Sequence, residues 1–321
     1  HLGVGRRLEM TNPPQRSLLE SRRSPLAMAQ AEETRDRLAA AHGIDPARIE
    51  IVPVTASGDR IQDRALAEIG GKALWTKELD AWLAAGEIDF AVHSAKDVET
   101  LRPEQFTIGA VLPREDVRDV LVGAESIQAL PRGAVVGTSA PRRAAQLLHA
   151  RPDCRVVTFR GNVATRLAKL AAGEADATFL AAAGLKRLGE HGVGHPLDEE
   201  HWLPAPGQAA ILVECRAADA RTRAFLAPVD DAPSRATLLA ERTLLANLGG
   251  NCHSPIAVLT RAEGGELVMR ATLFSPDGAE HVEGSARFAA DDAHGPARLA
   301  ADLLARAVPA IADHFHGAGG G

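Results

Sequence analysis

A short apolar run ends abruptly in side chains that could do chemistry. Phe90–Val92 is apolar, and the chain then continues with His93, Ser94, Lys96 and Asp97. Polar residues after a buried strand are where open α/β sheets place ligands, outside the carboxyl ends of the strands. The polar cluster after this strand is therefore a candidate ligand site. An Asp–Lys pair by itself, however, is more often a turn in which the Asp side chain binds nearby backbone amides.

The number of cations at other strand-to-helix turns favours a functional interpretation. A cation at a helix N-terminus is unfavourable by about 0.3–1 kcal/mol, because that end is the positive pole of the helix dipole. A local rule that is broken repeatedly tends to mark function, and both guanidinium groups and N-terminal amides suit a carboxylate or a phosphate. The turns together predict an anion site, although any single pair could be a solvated surface. The cations concerned are Arg22, Arg23, Arg142, Arg143, Arg160 and Arg166, with Lys72 and Lys96 as candidate additions.

The sequence favours an organic polycarboxylate over a nucleotide as the anion. It contains neither a G-x-x-x-x-G-K-[S/T] phosphate loop nor a G-x-G-x-x-G turn after a predicted strand. The formal net charge of -6 gives no general attraction to nucleic acid or acidic lipid, so an anion site must be built locally. No apolar run is long enough to span a bilayer, and residues 1–15 lack the apolar core of a signal peptide. These features predict a cytoplasmic protein.

The three cysteines, Cys154, Cys215 and Cys252, are far apart and form no C-x-x-C pair. This spacing indicates a reducing compartment and argues against a disulfide framework or a structural zinc. Cys154 and Cys215 fall at or within predicted strands, where we expect them to be inert. Cys252 lies in a Gly-rich loop after a helix, so it is the thiol that we expect to be reactive. His253 beside it raises the idea of a Cys–His pair, but adjacent residues rarely orient toward each other.

A predicted alternation of strands and helices positions these side chains, which is typical of an α/β fold. Ser24 is a good helix N-cap, Pro25 suits the first helical position, and Gly43 suits a helix stop. Thr138 or Ser139 is expected to cap the helix whose first turn contains two arginines. Near the C-terminus the pattern alternates as in antiparallel strands. The predicted strands are 17–20, 49–54, 90–92, 120–122, 135–136, 155–159, 175–181, 210–215, 267–274 and 281–288.

Taken together, the motifs resemble the porphobilinogen deaminase (hydroxymethylbilane synthase) family over nearly the whole chain from Ser17 on. They occur in that family's order and spacing, and they are specific as a set although none is specific alone. The resemblance implies two lobes like those of periplasmic binding proteins, with mixed, mostly parallel sheets, and a smaller α+β C-terminal domain with an antiparallel sheet. The expected domains are 17–112 with 210–227, then 113–209, then 232–316. The matching stretches are SRRSPLA, GGKALWTKELDAWLAAGEIDFAVHSAKDV, VGTSAPRR, RGNVATRL, AGLKRLG, LPAPGQAAILVECR and NCHSPIA.

The same resemblance implies a transferase of heme biosynthesis that polymerises porphobilinogen head to tail, releasing ammonia and hydroxymethylbilane. It implies a dipyrromethane cofactor joined by a thioether to Cys252, a catalytic Asp97, no metal, and a monomer without nucleic-acid or membrane partners. Each pyrrole carries an acetate and a propionate, which would explain the excess of cations. By position, the cofactor-binding residues are Cys252, Asp97, Lys96, Thr138, Ser139, Arg142, Arg143 and Arg160, and the substrate-binding residues are Arg22, Ser24, Lys72, Trp75, Arg160, Arg166 and Arg187.

The chain departs from the family pattern at a few positions. Ala164 and Ala209 stand where the family commonly has glycine, and Asn251 replaces another glycine just before the cysteine. Ala140 and Pro141 replace a usual Ser-Leu pair, which removes one hydroxyl donor and stiffens the turn. These changes bear on turn geometry and substrate affinity more than on the reaction.

Two other functions fit parts of the sequence. A two-lobe binding protein for a polycarboxylate ligand would share the fold and the cations, but it would need no reactive thiol and normally carries a secretion signal. A thiol-dependent acyl transferase would use Cys252 as its nucleophile. It would also need a well-placed base and an oxyanion hole, which the sequence does not declare.

Overall fold

The computed structural model of the chain describes residues 16–19, 24–53 and 80–316. The strands of this part are β1 (Arg16–Leu19), β2 (Glu50–Pro53), β3 (Phe90–Ser94), β4 (Phe106–Val111), β5 (Asp119–Val122), β6 (Val135–Gly137), β7 (Arg155–Val157), β8 (Ala177–Ala181), β9 (His195–Pro196), β10 (Ile211–Arg216), β11 (Ile256–Glu263), β12 (Glu266–Phe274) and β13 (His281–Ala289). The helices are α1 (Pro25–His42), α2 (Pro141–Ala150), α3 (Val163–Ala171), α4 (Ala182–Arg187), α5 (Ala220–Leu226), α6 (Ala232–Asn247), α7 (His294–Arg306) and α8 (Pro309–Ala312). Short 3-10 turns cover Pro46–Arg48, Ala95–Asp97 and Ala227–Val229.

The first sheet is mixed, with the strand order β2-β1-β3-β10-β4. β1 runs parallel to β2 and β3, whereas β10 runs antiparallel to β3 and β4. Helix α1 begins and ends as predicted: Oγ of Ser24 accepts a bond from a first-turn amide at 3.2 Å, and Gly43 has a φ of 62°. Leu38, Phe90 and Ile211 are fully buried in one apolar cluster. β3 is therefore a central strand that packs into the core.

The second sheet repeats this plan in the order β7-β6-β8-β5-β9. β6 runs parallel to β7 and β8, and β5 runs antiparallel to β8 and β9, so parallel and antiparallel pairings are balanced in both sheets. The prediction that Thr138 or Ser139 caps α2 is wrong. The N-cap is Ala140, without a side-chain cap, because Pro141 takes the first helical position, and the Thr138 hydroxyl instead accepts a bond from the Ala140 amide at 3.1 Å.

The third sheet, β11-β12-β13, is antiparallel throughout. α6 and α7 cover it, with Leu244, Met269, Phe288 and Leu303 among the buried residues of their shared core. The predicted α/β class with a separate antiparallel sheet near the C-terminus is confirmed. The domain boundaries given above stay a prediction.

The chain passes between the first two sheets twice, through an outward segment (112–118) and a return segment (203–210). The two segments are bonded to each other: the Glu115 amide donates to the Ala209 carbonyl at 3.3 Å, and Nε2 of Gln208 donates to the Val117 carbonyl at 2.9 Å. Gln208 is fully buried. The crossing therefore ties the first two sheets together through bonds between its two segments.

Ala209 holds a strained backbone conformation at the crossing. Its φ of 68° is the one positive φ of a non-glycine residue within the described ranges. An L-residue with a Cβ pays roughly 1–2 kcal/mol for the left-handed region. The carbonyl of Ala209 accepts a second bond, from Nη2 of Arg187 at 3.0 Å, so contacts from both sides keep the backbone in place.

We expect Ala209→Gly to raise the free energy of unfolding by about 0.5–1 kcal/mol, because relief of strain exceeds the entropy that glycine adds to the unfolded chain. Urea denaturation of both proteins measures the difference. The matched control is Ala164→Gly, at the second position within α3, which should lower stability by about 0.5–1 kcal/mol. A loss of stability in both variants would contradict the assignment of strain to Ala209.

Candidate functional site

The Lys96–Asp97 pair lies in the 3-10 turn that follows β3, at the carboxyl end of a central strand. The turn is fixed by the return segment, because the Ala95 amide donates to the Ala210 carbonyl at 2.9 Å. Upstream, Nε2 of Gln30 in α1 donates to Oγ of Ser94 at 2.8 Å. Lys96 and Asp97 are both half-buried. A charged pair that is partly shielded from water and anchored on both sides can act on a bound charge with little reorganisation.

The loop after α6 brings Cys252 to this turn. Asn251 and Ser254 bond each other across the loop, with the Asn251 amide donating to Oγ of Ser254 at 2.9 Å. Cys252 is exposed. With Asn251 it lines a small cavity of about 20 Å³, whose other side is formed by Lys96 and Arg242. The predicted accessible thiol is confirmed. It lies beside the turn that contains Asp97, in agreement with the resemblance, which assigns Cys252 and Asp97 to one cofactor.

The other two thiols are buried, as predicted. Burial raises the pKa of Cys154, and it raises the pKa of Cys215 to about 11. Neither thiol is therefore available as a nucleophile near neutral pH, since reactivity follows the thiolate.

A buried carboxylate, Asp119 at the start of β5, binds both arginines of the first turn of α2. Nη1 of Arg142 lies 2.9 Å from Oδ2 of Asp119, and Nη2 of Arg143 lies 3.0 Å from Oδ1. The indole N–H of Trp202 and the side-chain amide of Gln208 donate to the same carboxylate at 2.9 and 2.8 Å. We call these five residues the Asp119 cluster. The unfavourable cations at this helix start are thus compensated from within the chain, contrary to the expectation from sequence.

The Asp119 cluster carries an excess of positive charge. Burial by itself raises the pKa of Asp119, but the charges of Arg142 and Arg143 outweigh it and hold that pKa well below its ordinary value. The carboxylate is therefore ionised and neutralises one guanidinium of the two. The role of Arg142 and Arg143 in binding a ligand carboxylate stays a prediction, because both already bind a carboxylate of the protein.

Arg166 on α3 adds a further cation next to this cluster. Its Nη1 donates to the Phe179 carbonyl at 3.2 Å, and Nη1 of Arg143 reaches the same carbonyl at 3.5 Å. Burial and the charge of Arg143 lower the pKa of Arg166 to about 10. Its Nε is buried and has no hydrogen-bond partner in the described part of the chain. A bound anion would satisfy this donor and the excess charge together.

The remaining predicted residues have more varied environments. Arg187 on α4 donates to the Ala209 carbonyl, and its Nε lies 3.6 Å from Oε1 of Glu33 on α1, so it contacts the first-sheet side. Arg160 and Thr138 are buried, whereas Ser139 is exposed. The Ser24 hydroxyl serves as the α1 cap. The predictions for Arg22, Arg23, Lys72 and Trp75 lie outside the described residues.

The return segment connects the Asp97 turn with the Asp119 cluster. A Cβ built on Gly207 would lie 3.4 Å from the Lys96 amide nitrogen, and the next residue, Gln208, bonds Asp119. The Gly207 amide donates to Oε1 of Glu241 on α6 at 2.8 Å. Sequence reasoning missed Asp119, Gln208 and Glu241. The sequence signal for these residues was a charged or amide side chain within an otherwise apolar or Gly/Pro-rich stretch. This signal is weak, because the sequence does not show which residue such a side chain binds.

No group of three or more His, Cys, Asp or Glu side chains within the described ranges could hold a metal ion. Of the described helices, none combines the length and apolar character that crossing a bilayer requires.

Comparison with known proteins finds one family along the chain. A family model described as "Porphobilinogen deaminase, dipyromethane cofactor binding domain" matches residues 18–224, and one described as "Porphobilinogen deaminase, C-terminal domain" matches residues 236–305. The porphobilinogen deaminase of Sphingopyxis alaskensis is 56% identical over 309 residues, which cover 94% of this chain and 98% of that protein. That of Nitrobacter winogradskyi is 50% identical, covering 88% and 89%, and that of Paracoccus denitrificans is 48% identical, covering 93% and 97%.

Solved structures with similar backbones include a Bordetella pertussis BvgS VFT2 domain, with 19% identity and a TM-score of 0.40 over 70% of this chain and 90% of that one. A periplasmic sulfonate-binding protein SsuA from Methylobacillus flagellatus has 18% identity and a TM-score of 0.39, covering 72% and 68%.

Asp119→Asn should lower the free energy of unfolding at pH 7 by about 3–5 kcal/mol, because it leaves two buried guanidinium groups without an anion. Because the pKa of Asp119 is lowered in the folded state, the unmodified protein should be more stable than Asp119→Asn by this full amount above about pH 4. The difference between the proteins should shrink as the pH falls through that lowered pKa. Denaturant titrations across this pH range measure it.

Asp302→Asn is the control, since Asp302 pairs with Arg306 on the surface of α7. That substitution should change stability little. Equal losses in the two variants would show that the Asp119 carboxylate does not hold the arginines.

Proposed function

The chain belongs to the porphobilinogen deaminase family, and on this premise we propose how it works as a transferase of tetrapyrrole synthesis. It joins four porphobilinogen molecules head to tail on a dipyrromethane attached to Cys252, releasing ammonia and hydroxymethylbilane. The observation that carries the proposal is the exposed Cys252 thiol at the turn that contains Lys96 and Asp97. A tethered primer needs an accessible sulfur close to the reacting groups.

The donor set fits a dipyrromethane. Two pyrroles carry several carboxylates, and the second sheet offers an excess of guanidinium charge, including a buried Arg166 Nε that lacks a partner within the described residues. When bound, this group supplies the nucleophilic pyrrole carbon to which the first substrate is joined. We propose that Cys252 forms the thioether and that the carboxylates are bound by Lys96, Thr138, Ser139, Arg142, Arg143 and Arg160.

The incoming substrate needs carboxylate contacts of its own. Arg166 and Arg187 suit this role because guanidinium groups bind carboxylates in a fork geometry. Arg187 already lies near the carboxylate of Glu33, and a substrate carboxylate would replace Glu33 as its partner. The complete proposed set is Arg22, Ser24, Lys72, Trp75, Arg160, Arg166 and Arg187.

Asp97 is the proposed catalytic residue. The carbon–nitrogen bond of the substrate's aminomethyl group breaks, and ammonia leaves with the bonding electrons once the nitrogen is protonated. Positive charge then develops on the pyrrole and its methylene carbon, and a carboxylate held nearby stabilises it. When bound, the primer would supply the pyrrole carbon that forms the new carbon–carbon bond with that methylene. The proton lost from the attacking carbon can be taken by Asp97.

A binding protein for a polycarboxylate is the second candidate. It would use the same cations, and the Asp119 cluster with Arg166 is the feature that favours it. It gives no reason for a thiol beside the Asp97 turn, so covalent loading of Cys252 separates the two functions. We further propose that the protein acts in the cytoplasm as a monomer without nucleic-acid or membrane partners.

Asp97→Asn should reduce the rate of porphobilinogen consumption by at least about 100-fold, because it removes the charge that stabilises the cation. The fold should be kept, as judged by circular dichroism and thermal denaturation. Asp89→Asn, the same change at the opposite end of β3, is the control and should retain turnover. Normal turnover in Asp97→Asn would remove Asp97 from the mechanism.

Intact-mass measurement of the purified protein should show an added mass of two linked pyrroles, and an acidic aldehyde reagent for pyrroles should give colour. Both signals should be absent from Cys252→Ser, which lacks the thiolate nucleophile. Cys154→Ala and Cys215→Ala should keep both. An adduct that persists in Cys252→Ser would place the attachment elsewhere.

A further inference from the structure

Arg242 on α6 is buried against the turn that carries Asp97. The residue is 9% exposed. Nη1 donates to the carbonyl of Val98 at 3.0 Å and to that of Ala95 at 3.4 Å, and Nη2 donates to the carbonyl of Glu99 at 2.7 Å. These carbonyls flank Asp97 on both sides. A single guanidinium thus holds the backbone before and after the catalytic carboxylate.

Local sequence does not require this contact, since 143 to 147 residues separate the partners. No carboxylate in the described part of the chain forms an ion pair with Arg242, and burial lowers its pKa. A buried cation costs free energy unless its donors are satisfied, and among the described residues the bonds of Nη1 and Nη2 go to backbone carbonyls. The planar fork of arginine can bond several carbonyls at fixed angles, whereas the ammonium of lysine is a point charge.

The same side chain also borders the proposed attachment site. Arg242, Lys96, Asn251 and Cys252 line one small cavity. α6 ends at Asn247 and leads directly into the loop that carries the thiol. Arg242 is therefore in contact with the Asp97 turn and lies next to the Cys252 loop.

We infer that Arg242 is a positioning residue, which holds the Asp97 carboxylate in register with the sulfur from which the product chain grows. This inference rests on the proposed function. A tethered primer has a fixed reach, so the distance from Cys252 to Asp97 decides whether the reacting carbon meets the carboxylate. A displacement of about 1 Å between reacting groups can cost about 100-fold in rate.

Arg242→Met keeps the length of the side chain and removes all its donors. We expect kcat to fall by about 10- to 100-fold while KM changes by less than about threefold, because the substrate's carboxylate contacts are untouched. Arg242→Lys should recover part of the loss. Hydrogen exchange of the amides in 95–99 should be faster in both variants, which reports the loosened turn directly.

Arg235→Met is the matched control. Arg235 lies two turns earlier on α6, pairs with Asp230 and also donates to a first-sheet carbonyl, that of Ile108, at 3.1 Å. If the contact between α6 and the first sheet only stabilised the fold, both methionine variants would lose activity equally. A kcat loss confined to Arg242 variants supports positioning.

Several outcomes would overturn the inference. They are an unchanged kcat in Arg242→Met, an equal loss in Arg235→Met, and unchanged exchange at 95–99 in the folded Arg242→Lys protein. Failure of the proposed function looks different: the parent protein itself would carry no pyrrole adduct and would consume no porphobilinogen.

Discussion

The buried charge of Asp119 is the constraint on which the second sheet depends. A carboxylate with no exposed surface is tolerated only if paired and fully hydrogen-bonded, and here its donors come from α2 and from residues 202 and 208. β5, α2 and the return segment must therefore pack together in one fixed arrangement. As a result the guanidinium groups of Arg142 and Arg143 have fixed positions, which is the preorganisation that the proposed anion recognition requires.

A second buried ion pair links this arrangement to α6. Arg114 in the outward segment binds Glu241, which is fully buried, at 2.8 Å, and its Nε donates to the Gln208 carbonyl at 2.9 Å. Both crossing segments and the helix before the Cys252 loop thus share one set of contacts. The position of the thiol follows from the crossing rather than from the third sheet alone. This explains how a loop on a separate antiparallel sheet comes to lie beside the end of β3.

Sequence reasoning succeeded where the determinants are local. Ser24 and Gly43 define α1 because capping is decided within one turn, and the glycines around Cys252 indicate an accessible loop. It failed for the partners of Arg142 and Arg143, because Asp119 lies more than twenty residues earlier, on another element. A cation at a helix start has the same local pattern whether it awaits a ligand or binds a buried carboxylate. Only the tertiary contact separates the two cases.

The contacts that join the three sheets differ in strength, and in the proposed mechanism this difference determines what can move as a product grows. Arg114–Glu241 is buried, at 2.8 Å, and is reinforced by the bond from the Gly207 amide to Glu241. Arg187 and Glu33, which connect α4 and α1, are 3.6 Å apart, and Glu33 is partly exposed. Arg187 is itself buried, but its pair with Glu33 is longer and is open to water on the Glu33 side, so breaking it costs less than breaking the shorter Arg114–Glu241 pair. Room for added rings is therefore gained more readily between the first two sheets than by withdrawing the Cys252 loop from the Asp97 turn. The proposed attachment point, Cys252, and the proposed catalytic carboxylate, Asp97, can then stay together through every addition.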